Sequence, residues 1–144
     1  MLRFHSWLTS TAIVITLSFP AFASDSKADQ CTQLITATNT ATAEMQDTST
    51  AKGEAVEKMK KMVEVLDRNV QRFKEISLSD TQLQGFQQRL VDLYAKTRDA
   101  GSMLVEAAGR KDKQAMQNAF VILTAASEEE SPLIDDINRY CNAK

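Results

Sequence analysis

From about residue 27 to the end of the chain, apolar residues recur every three or four positions, which is the spacing of one face of an α-helix. Little of this region shows the alternation that is typical of a β-strand. Glycine and proline, which interrupt helices, are rare there and occur only as Gly53, Gly85, Gly101, Gly109 and Pro132. The pattern therefore predicts an all-α protein.

The pattern divides into four segments. They predict helices over about residues 27–46, 54–75, 79–108 and 112–141, with a polar loop at 47–53. The predicted inward positions are Cys31, Leu34, Ile35, Thr38, Ala41, Met45, Val56, Met59, Met62, Val63, Leu66, Val70, Phe73, Leu83, Phe86, Leu90, Leu93, Tyr94, Leu104, Ala115, Met116, Ala119, Ile122, Leu123, Ala126, Leu133, Ile137, Tyr140 and Cys141.

Local signals mark several helix ends. Ser79, followed three residues later by Gln82, has the form of a capping box and predicts Ser79 as the N-cap of the third helix. Gly109 predicts the end of that helix, and Asp112 predicts the cap of the fourth. Pro132 has no backbone N–H, so we expect a kink or a short break there without a change of direction.

The first 23 residues have the form of a secretory signal peptide. Arg3 gives a positive start, residues 8–19 form an uncharged apolar run, and residues 21–23 fit the small-x-small rule for cleavage after Ala23. The apolar run is shorter than the roughly 20 residues of a membrane-spanning helix, so a retained anchor is the weaker interpretation. Residues 24–144 are predicted to form a single exported domain, in the periplasm, a lumen or the outside medium, with no stable membrane insertion after cleavage.

Cleavage leaves two cysteines, Cys31 and Cys141, near opposite ends of the exported domain. Two cysteines in an exported chain most often pair, and their wide separation favours a structural disulfide over a close-spaced redox pair. The bond needs both chain ends at one pole, because its Cα atoms lie within about 7 Å of each other. An even number of antiparallel helices meets this need, whereas fusing the first two helices into one rod would not. We therefore predict an up-and-down four-helix bundle closed by a terminal disulfide.

After cleavage the chain carries 16 basic and 19 acidic residues, a net charge near −3. A weakly acidic chain is poorly suited to binding nucleic acid or an anionic membrane. Lys58, Lys60 and Lys61 lie close together, but Glu54, Glu57 and Glu64 flank them. A solvated helix face is therefore favoured over a basic docking patch.

The only histidine, His5, lies in the predicted signal peptide. Its removal excludes a catalytic triad, histidine-ligated zinc, the c-type haem signature and the di-iron site of ferritin-like bundles, because each of them needs histidine. No cofactor is predicted.

The densest acidic cluster contains Glu128, Glu129, Glu130, Asp135 and Asp136. Carboxylates bind hard cations such as Ca²⁺. However, consecutive residues on a helix point in different directions, and no Asp-rich calcium loop is present. A solvated acidic surface is therefore the favoured interpretation.

The segment Ile76–Tyr94, the early Cys31 and the ending Ile137–Cys141 resemble parts of small exported helical proteins of cyanobacteria. The resemblance covers most of the exported domain, and its specific part is the loop-to-helix segment together with the terminal cysteine. It implies export and a helical bundle. It carries no functional residues across, because no activity is assigned to those proteins.

The sequence specifies a structural plan without a catalytic constellation. The leading hypothesis is a non-catalytic binding or interaction module, not an enzyme, with a protein or small ligand as its partner. The alternative is a carrier of a small apolar ligand in the bundle core, and a third is an enzyme using the acidic cluster and a metal. Oligomeric state is left open. Five methionines bear on the carrier hypothesis, although core filling is favoured for them: Met45, Met59, Met62, Met103 and Met116.

We expect the exported protein to begin at Ser24. N-terminal sequencing and the intact mass of protein recovered from the exported fraction would check this. Replacing Ala23 by leucine should block cleavage, because signal peptidase requires a small residue before the cut. A mature chain that still carries His5 would contradict the prediction and restore histidine chemistry to consideration.

Overall fold

The structure is a computed structural model that describes residues 26–143, and within this range the chain forms four α-helices and no strand. They are α1 (Lys27–Thr50), α2 (Ala55–Glu75), α3 (Thr81–Arg110) and α4 (Lys113–Asn142). Short turns join them in an up-and-down order, with α3 packed along both α2 and α4, while α1 packs mainly on α2. The predicted fold class is confirmed. The predicted signal peptide lies outside the described residues.

No helix between residues 26 and 143 has the length and apolarity needed to cross a membrane.

A disulfide joins Cys31 near the start of α1 to Cys141 at the end of α4, with a Cα–Cα distance of 5.7 Å. This confirms the predicted pairing and the even helix count. We call the end of the bundle that contains this bond the disulfide pole. The opposite end, formed by the turns at residues 51–54 and 111–112, is the open pole.

Hydrogen bonds from α1 organise the start of α3 at the disulfide pole. The buried Gln30 accepts from the backbone N–H groups of Ser79 and Asp80 at 2.7 and 2.9 Å, and its amide donates to the Ser79 hydroxyl at 3.0 Å. The N-cap of α3 is Asp80, whose carboxylate accepts from the N–H of Leu83 at 2.9 Å. The prediction of Ser79 as N-cap is therefore wrong by one residue, because the hydroxyl and the backbone N–H of Ser79 are hydrogen-bonded to Gln30.

Two helices run further than predicted. α1 continues to Thr50, and in its last turns threonine hydroxyls donate to carbonyls of the preceding turn, as Thr48 does to Glu44 at 2.8 Å. α3 continues past Gly109 to Arg110, and Lys111 takes the left-handed conformation, with φ of 56°, that ends the helix.

The fourth helix begins as predicted, since the Asp112 side chain accepts from the N–H of Ala115 at 3.0 Å. It then continues through Pro132 as one helix to Asn142, so the expected break is absent. Leu133 and Ile137 follow the proline on the same buried face, and this packing holds the helix on course where one backbone hydrogen bond is missing.

The large buried side chains lie in the half of the bundle next to the disulfide pole. Phe73 and Tyr94, both almost fully buried, meet edge to face with ring centroids 5.0 Å apart. Towards the open pole the buried positions are small, and they are Ala100, Gly101, Ala107 and Ala119. The core therefore contains large side chains near the disulfide pole and small ones near the open pole.

A matched pair of glycine substitutions tests this packing. In Gly101→Ala the new Cβ would lie 2.9 Å from Cγ2 of Val63, whose branched side chain moves little. We expect a net loss of about 1 kcal/mol in the free energy of unfolding, because overpacking outweighs the gain in helix propensity. Gly85→Ala is the control, since nothing lies within 4 Å of its Cβ, and it should stabilise by about 0.5–1 kcal/mol. Urea unfolding measures both, and equal effects would contradict the close packing.

Candidate functional site

The open pole differs from the disulfide pole because α1 is shorter than α4. Measured from the disulfide at about 1.5 Å per residue, α1 extends about 28 Å to Thr50 and α4 about 42 Å back to Lys113. Thr50 therefore lies level with about residue 122 of α4. The first three turns of α4 have no α1 beside them, so part of their surface lacks a covering helix.

An apolar groove of about 250 Å³ lies at this pole between the start of α2, the end of α3 and the start of α4. Phe120 is 58% exposed, Val121 beside it on α4 is 68% exposed, and Val56 across the groove is 38% exposed. We call this surface the pole groove. It is lined by Ala55, Val56, Met59, Leu104, Val105, Ala108, Met116 and Phe120.

This exposure corrects several predicted core positions. Val56 was expected to point inward and is exposed, and the expected core residues Met59, Leu104 and Met116 are only half-buried. Their helical spacing is correct, but these side chains line the open pole groove instead of a closed core, and α1 ends before it reaches the level of Met116.

Positive charge surrounds the pole groove. Residues 51–61 and 106–113 contain seven basic and four acidic residues, whereas the rest of the chain after residue 23 contains nine basic and fifteen acidic ones. Two of the cations are paired, Lys60 with Glu57 and Arg110 with Glu106. The other five have no carboxylate within 4.0 Å among residues 26–143, and they are Lys52, Lys58, Lys61, Lys111 and Lys113.

A second opening, which we call the core cleft, has a volume of about 220 Å³ and lies where α1 and α4 face each other in the middle of the bundle. All four helices contribute to its mainly apolar walls. Its lining residues are Met45, Met62, Leu66, Leu93, Tyr94, Thr97, Leu123, Ala126, Ser127 and Glu130.

One charged hydrogen bond borders the core cleft. The Tyr94 hydroxyl donates to Oε1 of Glu130 at 2.9 Å, with Tyr94 only 2% exposed and Glu130 half-buried. Burial, followed by the negative charge of Glu130, raises the pKa of Tyr94 well above its ordinary range. The hydroxyl is therefore a stable donor rather than a proton-transfer group at neutral pH.

The acidic cluster of α4 is dispersed by its neighbours. Glu130 turns towards Tyr94, and Glu129 pairs with Lys96 at 2.8 Å. Asp136 lies 3.4 Å from both Arg89 and Arg139. Within residues 26–143 no three metal-ligating side chains converge.

The methionines divide between the two openings. Met45 and Met62 line the core cleft, while Met59 and Met116 line the pole groove. The favoured interpretation of core filling is therefore incomplete. Met103 is 44% exposed. The helical spacing of the methionines does not show whether they fill a core or line an opening. The early polar end of α1 does indicate where the bundle stays open.

No protein-family model, no curated protein and no solved structure matches the sequence. The resemblance to exported cyanobacterial proteins stays a prediction, and so does cleavage after Ala23, which lies outside the described residues.

The Tyr94 site predicts a specific alkaline instability. The pKa of Tyr94 is raised in the folded protein, so the unfolded chain loses this proton first and the free energy of unfolding falls as pH rises above about 10. Tyr94→Phe should remove much of that slope and cost about 1–2 kcal/mol at pH 7 through the lost bond to Glu130. Urea unfolding between pH 7 and about 11 measures both effects.

Tyr140→Phe is the matched control, because Tyr140 also donates to a carboxylate, that of Asp80 at 2.8 Å, but lies nearer the surface. It should change the alkaline slope less than Tyr94→Phe does. An unchanged slope in Tyr94→Phe would show that Tyr94 ionises as freely in the folded protein as in the unfolded chain.

Proposed function

We propose that this protein is an exported, non-catalytic binding module whose pole groove takes an acidic amphipathic helix of a partner protein. The observation that carries the proposal is Phe120, a large apolar side chain that is 58% exposed on the wall of an entirely apolar groove. Single exposed apolar residues are common, but a contiguous patch is typical of an interaction surface.

The groove has the chemistry that an apolar helix face needs. Its walls come from three helices, so an incoming helix would complete the bundle at the level that α1 does not reach. Met59 and Met116 are flexible and polarisable, which lets the surface adapt to differently shaped side chains. Burying Phe120 against a partner would contribute about 1.5–3 kcal/mol.

Charge complementarity selects the kind of partner. The five lysines without carboxylate partners at the open pole favour glutamate or aspartate on the flanks of the incoming helix. A symmetric second copy would bring two such lysine clusters together, which is unfavourable. A flat anionic membrane would also meet the acidic remainder of the domain, whereas a single helix meets the open pole alone.

The test uses a pair of synthetic amphipathic peptides of about 18 residues with identical leucine and phenylalanine faces. One has glutamate on its polar positions and the other has lysine. We expect the acidic peptide to bind with 1:1 stoichiometry in calorimetry, to weaken as salt is raised, and to outcompete the basic peptide. Phe120→Ser should weaken it by about 10- to 100-fold, because the buried phenylalanine surface is lost.

Lys113→Glu should also weaken binding of the acidic peptide, and Lys74→Glu on α2 near the disulfide pole is the matched charge control. Vesicles with anionic or neutral lipid and analytical ultracentrifugation examine the other occupants. Binding of both peptides alike, sedimentation with anionic vesicles, or a dimer dissociated by Phe120→Ser would overturn the proposed acidic-helix partner.

A further inference from the structure

The core cleft is separate from the pole groove and has a different character. It lies between α1 and α4, which the disulfide holds together at one end and which pack against each other only sparsely. We propose that the core cleft binds a compact apolar molecule, about the size of a bicyclic aromatic ring, that carries one hydrogen-bond donor. This gives the ligand-carrier hypothesis a location and a ligand class.

Volume sets the size of the ligand. A closed apolar cavity of about 150 Å³ holds a benzene molecule, and the core cleft offers about 220 Å³. Two fused rings fit this range, whereas a long acyl chain or a haem does not. The cleft is open to solvent on one side, so part of the bound molecule stays exposed.

The lining sets the apolar part of the ligand. Leu66, Leu93 and Ala126 form a buried floor, and Met45 and Met62 form more exposed walls. Thioethers adapt their shape and make favourable contacts with aromatic rings. An aromatic body therefore suits this cleft better than a polar one.

Glu130 determines which polar group the ligand carries. Its Oε1 accepts the hydrogen bond from Tyr94, which fixes the carboxylate at the edge of the cleft and leaves Oε2 for a ligand donor. A hydrogen bond to a charged acceptor in a partly buried site contributes more than one between neutral groups. The ligand should therefore present an N–H or O–H group towards Glu130, next to the exposed Ser127.

The experiment compares two probes of nearly equal shape, indole, which has an N–H donor, and indene, which has none. Amide chemical shifts of the labelled mature protein would be followed as each probe is added. We expect saturable shifts at Thr97 and Ala126 with indole and about tenfold weaker binding of indene, because the bond to Glu130 is lost.

Two variants localise the site. Leu123→Phe places extra volume in the cleft and should weaken indole at least about tenfold, and Glu130→Gln should reduce the preference for indole over indene while leaving the apolar contacts in place. Thermal unfolding of each variant verifies the fold. Phe120→Ser, in the pole groove, is the control and should bind indole as the unchanged protein does.

Indole shifts confined to the cleft and reduced by Leu123→Phe would support the proposal, whatever the peptide experiments show. Absence of saturation with both probes up to their solubility, equal binding in Leu123→Phe, or shifts centred on Phe120 would overturn it. Equal affinities for indole and indene would overturn the assignment of Glu130 as the ligand's acceptor.

Discussion

The covalent bond between the two ends of the domain governs the arrangement of α1, and the rest of the bundle's shape depends on that arrangement. Threonine-rich helices are intrinsically weak, and α1 has six threonines that donate back to their own helix. The bond from Cys31 to Cys141 restricts the unfolded chain. In the chain-entropy model for a loop of about 100 residues, this raises the free energy of unfolding by about 5 kcal/mol. Gln30, one residue away, then joins α1 to the start of α3.

Because α1 is fixed at the disulfide pole, its length determines how much of the bundle it covers towards the open pole. It is held to α4 at the disulfide pole and meets α4 sparsely beyond it, which leaves room for the core cleft. It also ends before the start of α4, which leaves the pole groove uncovered. The fixed end of α1 and its short length therefore account for both the core cleft and the pole groove. Neither opening can be predicted from any single segment of the sequence.

Periodicity and cysteine placement were sufficient to predict the helix count, the topology and the disulfide. Helical spacing identifies which side of a helix is apolar, and this was correct for Leu66 and Phe73, which are buried, and also for Val56 and Met116. It does not show whether another helix covers that side, since coverage depends on the relative lengths of elements distant in sequence. The prediction of Ser79 as the N-cap of α3 failed for a similar reason, because Gln30, which bonds to Ser79, comes from another helix.

The pairing of charges around the pole groove likewise depends on distances that the sequence does not give. Along the chain, glutamates flank Lys58, Lys60 and Lys61, and the local sum looks neutral. In the structure, pairing is selective, with Glu57 joined to Lys60, while lysines from the α3–α4 turn add to the same pole. The outcome is a domain that is acidic as a whole and basic around its apolar groove.

Lys111 shows how such a pole constrains the chain's sequence. A left-handed residue after a helix is usually glycine, and a lysine there carries a strain of about 1 kcal/mol. Glycine would relieve that strain and would remove one cation beside the pole groove. A more stable turn and a more positive pole therefore favour different residues at this one position, and the chain has the residue that favours charge.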